Sequence, residues 1–170
     1  LLLIGCIFLV QKKKTWFVLL FSSVLVVNVG YTLLSVSTCL KMALIANSIA
    51  YSGSVFLPMA MLMIILNVTN TRCKRLIPLF LTVLSVVMFL ITASPGILPI
   101  YYKEVSFAVV NGVSTLVKVY GPLHPLYLFY LIGYFIAMVA IIIRASIKKT
   151  FDTTSHAVIL AIAVLVNIGV

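Results

Sequence analysis

The residues of this chain best suited to chemistry are hydroxyls and amides set at helical spacing in apolar surroundings. Asn28, Tyr31 and Ser35 stand at i, i+3 and i+7, and Tyr127, Tyr130 and Tyr134 repeat that spacing. Asn47, Tyr51, Ser54 and Pro58 stand at i, i+4, i+7 and i+11. Each set therefore shares one helix face. Two tasks fit such faces. Asn and Ser glue helices together through interhelical hydrogen bonds, and aromatic walls with a few converging polar groups line small-ligand sites between helices. His124, beside Pro125, is either an interfacial residue or a ligand contact able to sense pH. The candidate ligand contacts are thus Asn28, Tyr31, Asn47, Tyr51, Ser54, Tyr127, Tyr130 and His124.

Catalysis finds no foothold. The chain carries only two acids, Glu104 and Asp152, neither in the middle of an apolar run, and Asp152 sits in a Thr/Ser-rich turn where it is expected to cap the following helix. Buried ionisable relays, the usual equipment of proton-coupled transporters and pumps, are missing. There are no paired carboxylates, no H-E-x-x-H and no phosphate-binding loop. Cys6, Cys39 and Cys73 have no metal or CxxC spacing and read as small hydrophobes, so no metal, cofactor or disulfide is implied.

The elements that must hold these faces are membrane helices. Of 170 residues 64% are apolar and 8% charged, where a soluble domain has roughly a quarter charged. A bilayer-spanning helix takes about 20 apolar residues. Four complete runs qualify, Trp16 to Val36, Ala43 to Val68, Leu76 to Ala93 and Pro125 to Ile143, with partial runs at Leu1 to Val10 and Ala157 to Val170. The net charge of +10 lies in short clusters between these runs. Nucleic-acid binding needs basic residues gathered on one surface with aromatics among them, and is excluded on that pattern. "QKKK" (11 to 14), "TRCKR" (71 to 75) and "RASIKK" (144 to 149) hold nine cations, against three (Lys41, Lys103, Lys118) in the alternate connections. The positive-inside bias places the first three clusters in the cytoplasm and the 94 to 124 connection outside. All three polar faces then fall in the outer half of the bilayer. The Asn67-Val68-Thr69 sequon lies at the cytoplasmic face, where its polar residues simply end a helix.

The outer connection has its own structure. Tyr101 to Val110 and Val113 to Tyr120 are rich in β-branched and aromatic residues, and Asn111-Gly112 between them is a strong two-residue hairpin signal. That turn sets Phe107 opposite Leu116 and Val105 opposite Lys118. Open strand edges leave backbone groups unsatisfied in hydrocarbon, so the hairpin belongs outside, capping the bundle over the polar faces. Gly30 and Gly53 are expected to be packing notches and Pro58 a tolerated kink. The fold class is an all-α membrane protein: a polytopic bundle with an extracellular hairpin between its fourth and fifth helices.

"TASPGILPIYYKEV" (92 to 105) and "YGPLHPLYLFYLIGYFIAMVAIIIRASIKK" (120 to 149) resemble the N-terminal seven-helix sensor module of bacterial histidine kinases. In that family a helix ends in a Thr-Asn-Pro-like turn, and an outer loop leads to Tyr/Phe-Gly-Pro. A Tyr-containing helix then runs into a basic cytoplasmic turn. Thr92 and Pro95 stand for the first element, Tyr120, Gly121 and Pro122 for the second, and Arg144, Lys148 and Lys149 for the basic turn, with Asn167 matching a polar position beyond it. The His that often follows the Asn-Pro turn is absent, with Tyr101 and Tyr102 nearby, and Gly-Pro is followed by Leu-His-Pro. The resemblance covers roughly residues 76 to 170.

It implies a receptor module in a bacterial plasma membrane, N-terminus outside, sensing a small-molecule or peptide ligand or a signal in the lipid bilayer. It would pass that signal to a cytoplasmic kinase or diguanylate cyclase, dimerising through that output domain. The sequence begins and ends inside apolar runs, so the expectation is a longer chain with six helices visible here, two of them partial, and a seventh beyond. A transporter or channel subunit is the alternative, though no internal repeat of the kind many transporters carry is evident. A lipid-modifying enzyme would lack any catalytic cluster. The topology is checked by cysteine labelling with an impermeant reagent on intact cells: Gly112→Cys should react, Lys13→Cys and Lys148→Cys should not, and the reverse pattern would invert the orientation.

Overall fold

The structure, a computed structural model, describes residues 14–69, 71, 74, 76–95 and 98–147. The partial runs Leu1 to Val10 and Ala157 to Val170, Cys6, Cys73, the Asp152 cap and Asn167 lie outside the described residues, as do residues 11–13, 72, 75, 148 and 149 of the basic connections. Four helices and one hairpin are described: α1 (Lys14–Ser35), α2 (Leu40–Val68), α3 (Leu76–Thr92), β1 (Tyr102–Val110), β2 (Val113–Tyr120) and α4 (His124–Ile147). Thr15–Ser35, Leu40–Val68 and His124–Ile147 are long and apolar enough to cross a membrane, while Leu76–Thr92 is a shorter apolar helix of 17 residues. The described part is thus mostly helical with one two-stranded sheet. A seven-helix bundle would extend beyond it.

Helix α2 is the central element, and the reason is its small residues. Ala43, Ala46, Ala50 and Gly53 are buried along it. Across the seam, α1 buries Ser23, Gly30 and Leu34, spaced seven and four apart on one face. A methyl group added at Gly30 would collide with the backbone of Ala50, and one at Gly53 with the carbonyl of Ser23. The two glycines are therefore the notches that let two antiparallel backbones touch. The polar side chains of α1 mostly turn back on their own helix: Asn28 Nδ2 donates to Val24 O at 2.8 Å, Thr32 to Asn28 O at 2.8 Å and Ser35 to Thr32 O at 2.8 Å.

The inner half of α2 packs differently. Val55, Met59, Leu62, Met63, Ile65 and Leu66 form a core with Met88 of α3 and Tyr130, Tyr134, Met138 and Ile142 of α4. Pro58 lies inside α2 and removes one helical donor there. In the same turn Tyr130 donates to Val55 O at 2.7 Å.

The hairpin forms as its turn residues dictate. Asn111 has φ 51° and Gly112 φ 79°, the pair of positive values a type I′ turn requires. The register pairs Phe107 with Leu116 and Val105 with Lys118. Leu116 packs with Leu34, Ala43 and Ala46, flanked by Val105 and Phe107, so one hairpin face rests on the α1–α2 turn. Ser114 Oγ donates to Ser37 O at 2.6 Å and pins the hairpin there. At its other end Gly121 N donates to Tyr101 O at 2.9 Å and Leu123 N to Ile100 O at 3.1 Å. A side chain at Gly121 would strike the Ile100 carbonyl, which explains glycine in the Tyr-Gly-Pro turn.

The regular register breaks once. Val105 pairs with Lys118 and Glu104 with Val119, yet Tyr120 pairs with Tyr102, leaving Lys103 as an extra residue. Such a bulge re-aims side chains. An unbroken register would bring Lys103 opposite Tyr120 on the bundle-facing side; instead Tyr102 takes that place and is buried, while Lys103 is exposed.

Gly112→Val should cost about 1–2 kcal/mol through backbone strain alone, because nothing lies within 4 Å of the position of its side chain. Limited proteolysis should then cut the hairpin while helical circular dichroism stays unchanged. Gly30→Val should instead separate α1 from α2 and lower the helical unfolding midpoint.

Candidate functional site

Tyrosines from three elements meet where the hairpin joins the bundle. Tyr51 comes from α2, Tyr101 and Tyr102 from the start of the hairpin, Tyr120 from its end, and His124 and Tyr127 from the first turn of α4. The Tyr51 ring stands edge-on to Tyr101 at 5.6 Å and to Tyr127 at 5.7 Å. Tyr101 contacts Tyr102 at 4.7 Å and His124 at 5.3 Å, and His124 stacks on Tyr120 at 3.9 Å. From Tyr127 the contacts continue down α4 to Tyr130 (6.1 Å) and on to Tyr134 (4.9 Å), as the i, i+3, i+7 spacing requires. Edge-to-face pairs of this kind add roughly 0.5–1.5 kcal/mol each beyond the area they bury. The result is a continuous aromatic column from the hairpin end of the bundle into the core.

The polar atoms of this column are connected as well. Tyr51 and Tyr102 share a hydroxyl–hydroxyl hydrogen bond of 2.6 Å, and Tyr101 donates to Tyr51 at 3.3 Å. Tyr101 is fully buried. Burial, reinforced by the neighbouring phenols, raises the Tyr101 and Tyr102 pKa values far above the ordinary range, so both hydroxyls stay neutral and available as donors. Deeper in, Tyr130 donates to Val55 O and shares a 2.9 Å hydrogen bond with Ser85, tying α2, α3 and α4 at one point.

One charge enters the arrangement. Lys118 of β2 sends its Nζ to Asn47 Oδ1 at 2.9 Å, over the ring of Tyr102 at 5.1 Å and that of Tyr51 at 5.9 Å. Burial lowers the pKa of this ammonium.

Of the residues singled out by spacing, Asn47, Tyr51, Tyr127, Tyr130 and His124 are joined through the column or its lysine. Asn28 and Ser54 are not: each bonds to a carbonyl of its own helix, Ser54 to Ala50 O at 2.9 Å. Tyr31 is 56% exposed on α1. Sequence reasoning passed over Tyr101, Tyr102, Tyr120 and Lys118. The signal for Lys118 was present in its pairing with Val105 on the bundle-facing side; that for Tyr102 was hidden by the bulge.

Two open grooves flank the column. One, about 540 Å³, runs between α2 and α3 along Lys41, Ile45, Ser48, Ser52, Phe89 and Pro95. The other, about 460 Å³, lies between α3 and α4 and includes Leu84, Met88, Phe129, Tyr130, Gly133 and Tyr134. Among the described residues no group of His, Cys, Asp and Glu could hold a metal ion.

The family model for the N-terminal 7TM region of histidine kinase matches residues 1–170. No curated protein and no solved structure matches the chain.

Tyr130→Phe removes two buried hydrogen bonds at the three-helix junction while keeping the ring. It should lower stability by about 1–2 kcal/mol, read as a reduced unfolding midpoint in detergent micelles. An unchanged midpoint would mean that the junction is held by ring packing alone.

Proposed function

Because the chain belongs to the family of N-terminal 7TM regions of histidine kinases, we propose that it is a sensor module that perceives a signal at its outer face and relays it to a cytoplasmic kinase. The observation that carries this reading is the aromatic column. It begins under an outer hairpin, where a ligand can arrive, and ends among the core side chains of α2, α3 and α4, where helix positions are set. A ligand shifts a receptor only through its differential affinity for two arrangements. Contacts that join the hairpin, α2 and α4 at one place are suited to supply that difference.

In this reading the module sits in a bacterial plasma membrane with its N-terminus and hairpin outside, as the charge asymmetry of the connections suggests. Tyr51, Tyr127, Tyr130, Asn47 and His124 form the ligand-responsive part, together with Tyr101, Tyr102, Tyr120 and Lys118. Tyr31 contributes at its margin, while Asn28 and Ser54, bonded to their own helices, are left out of it. The cytoplasmic output domain provides the dimer contact. A transporter is the weaker reading, since among the described residues no acid lies in any helix: the one described acid, Glu104, is on β1.

The test is autophosphorylation of the full-length chain in membrane vesicles. Tyr51→Ala and Tyr127→Ala should each shift the kinase level by at least about fivefold, the lower end of ordinary allosteric coupling, with expression and insertion normal. Variants that lose stability yet keep the parental kinase level would assign the tyrosines to packing alone.

A further inference from the structure

Lys118 is in an unusual position for a lysine at the outer surface. Its long stem would let the ammonium reach water at little cost, as Lys103 on the facing strand does. Lys118 instead turns inward, half-buried, to Asn47 and two aromatic faces. No carboxylate among the described residues meets it there. Among the described residues the one acid is Glu104, which is exposed and pairs in register with Val119, on the opposite strand face from Lys118.

The hydrogen-bond inventory points the same way. An ammonium has three N–H donors, and among the described residues it makes a single hydrogen bond, to Asn47 Oδ1. Asn47 is 1% exposed, and its Nδ2 has no hydrogen-bond partner. The three phenols of Tyr51, Tyr101 and Tyr102 share two hydrogen bonds, so one O–H is left over. Several donors are therefore unused, and among the described residues the local charge is positive without a counter-charge. A buried charge left in this condition is costly.

We propose that Lys118, Asn47 and the phenols of Tyr51, Tyr101 and Tyr102 form a subsite for an oxyanion, supplied by a soluble carboxylate or by the phosphate of an anionic lipid headgroup. A cationic ligand is disfavoured, because the ammonium already occupies the faces of Tyr51 and Tyr102 and would repel a second cation. An oxyanion accepts from the spare N–H and O–H donors together, through charge-assisted hydrogen bonds. The tyrosine rings would pack against the apolar body that carries it. The subsite rests on the outer-face sensor reading and names the chemistry that reading would detect.

The test uses the full-length chain in nanodiscs with benzoate as probe and benzamide as its neutral counterpart. Benzoate should raise the unfolding midpoint of the parent in phosphatidylcholine discs, and benzamide should not; this is the soluble arm. In the lipid arm, discs containing phosphatidylglycerol should raise the midpoint without any added probe. Either response supports the subsite and identifies its source. Lys118→Met should abolish the response, and Lys118→Arg should retain it. Asn47→Asp supplies an internal carboxylate at nearly unchanged volume and should weaken the response at least about tenfold; it decides the matter if Lys118→Met fails to fold. No stabilisation in either arm, equal stabilisation by benzamide, or an undiminished response in Asn47→Asp would overturn the proposal. Autophosphorylation read in parallel separates it from the sensor reading. Probe binding that leaves kinase activity unchanged sinks the sensor reading and keeps the subsite, whereas a benzoate or phosphatidylglycerol effect on kinase activity that persists in Lys118→Met does the reverse.

Discussion

Hydrocarbon offers no hydrogen-bond partners, and the arrangement of this chain follows from that. The backbone of a spanning segment has to be satisfied within a helix, and most of the small hydroxyls and amides the described helices carry bond to a nearby carbonyl. Asn28, Thr32, Ser48 and Ser54 bond to their own helix one turn back. Only where several elements converge do side chains leave their own helix: Tyr130 reaches Val55 and Ser85, and Tyr51 reaches the hairpin. The same constraint keeps the two-stranded sheet at the bundle's end, where strand edges can meet water.

Much of this was legible in the residues. The four complete apolar runs became helices with ends shifted by a few residues, the Asn111-Gly112 turn took both positive φ values, and the pairing of Phe107 with Leu116 followed from turn length alone. Those features depend on local chemistry: hydropathy over a span, and backbone sterics at a turn. Gly30 and Gly53 were likewise readable as notches because small residues in an apolar helix have little else to do. The resemblance to histidine-kinase sensor modules rested in part on the Tyr-Gly-Pro turn, and that turn proves to hold the hairpin's two ends together.

The polar stripes were harder to place, because spacing defines a face and not the direction it looks. On α1 the rotation is set by backbone contact at Gly30. Asn28 is two residues away, about 200° around the helix, and so faces away from the seam. On α2 the same seam runs through Gly53, which leaves Ser54 to bond along its own helix. Asn47 and Tyr51, a turn apart, instead reach the hairpin. The bulge at Lys103 was the other hidden feature. Strict alternation would send Tyr102 to solvent, and one inserted residue reverses that, which no periodicity reveals.

The seam at Gly30 and Gly53 also divides the bundle by stiffness. Where two backbones touch, there is no side chain between them to rearrange, so α1 and α2 have one way to sit together. Away from the Tyr130 junction, the contacts of α2 with α3 and α4 include Met59, Met63, Met88 and Met138, unbranched side chains that repack with little penalty. If the module is the sensor proposed above, a push arriving under the hairpin would meet a rigid anvil on one side and a compliant bearing on the other. In the proposed sensor, displacement would go to the compliant side, with α4 as the moving part and the α1–α2 pair as the frame against which it turns.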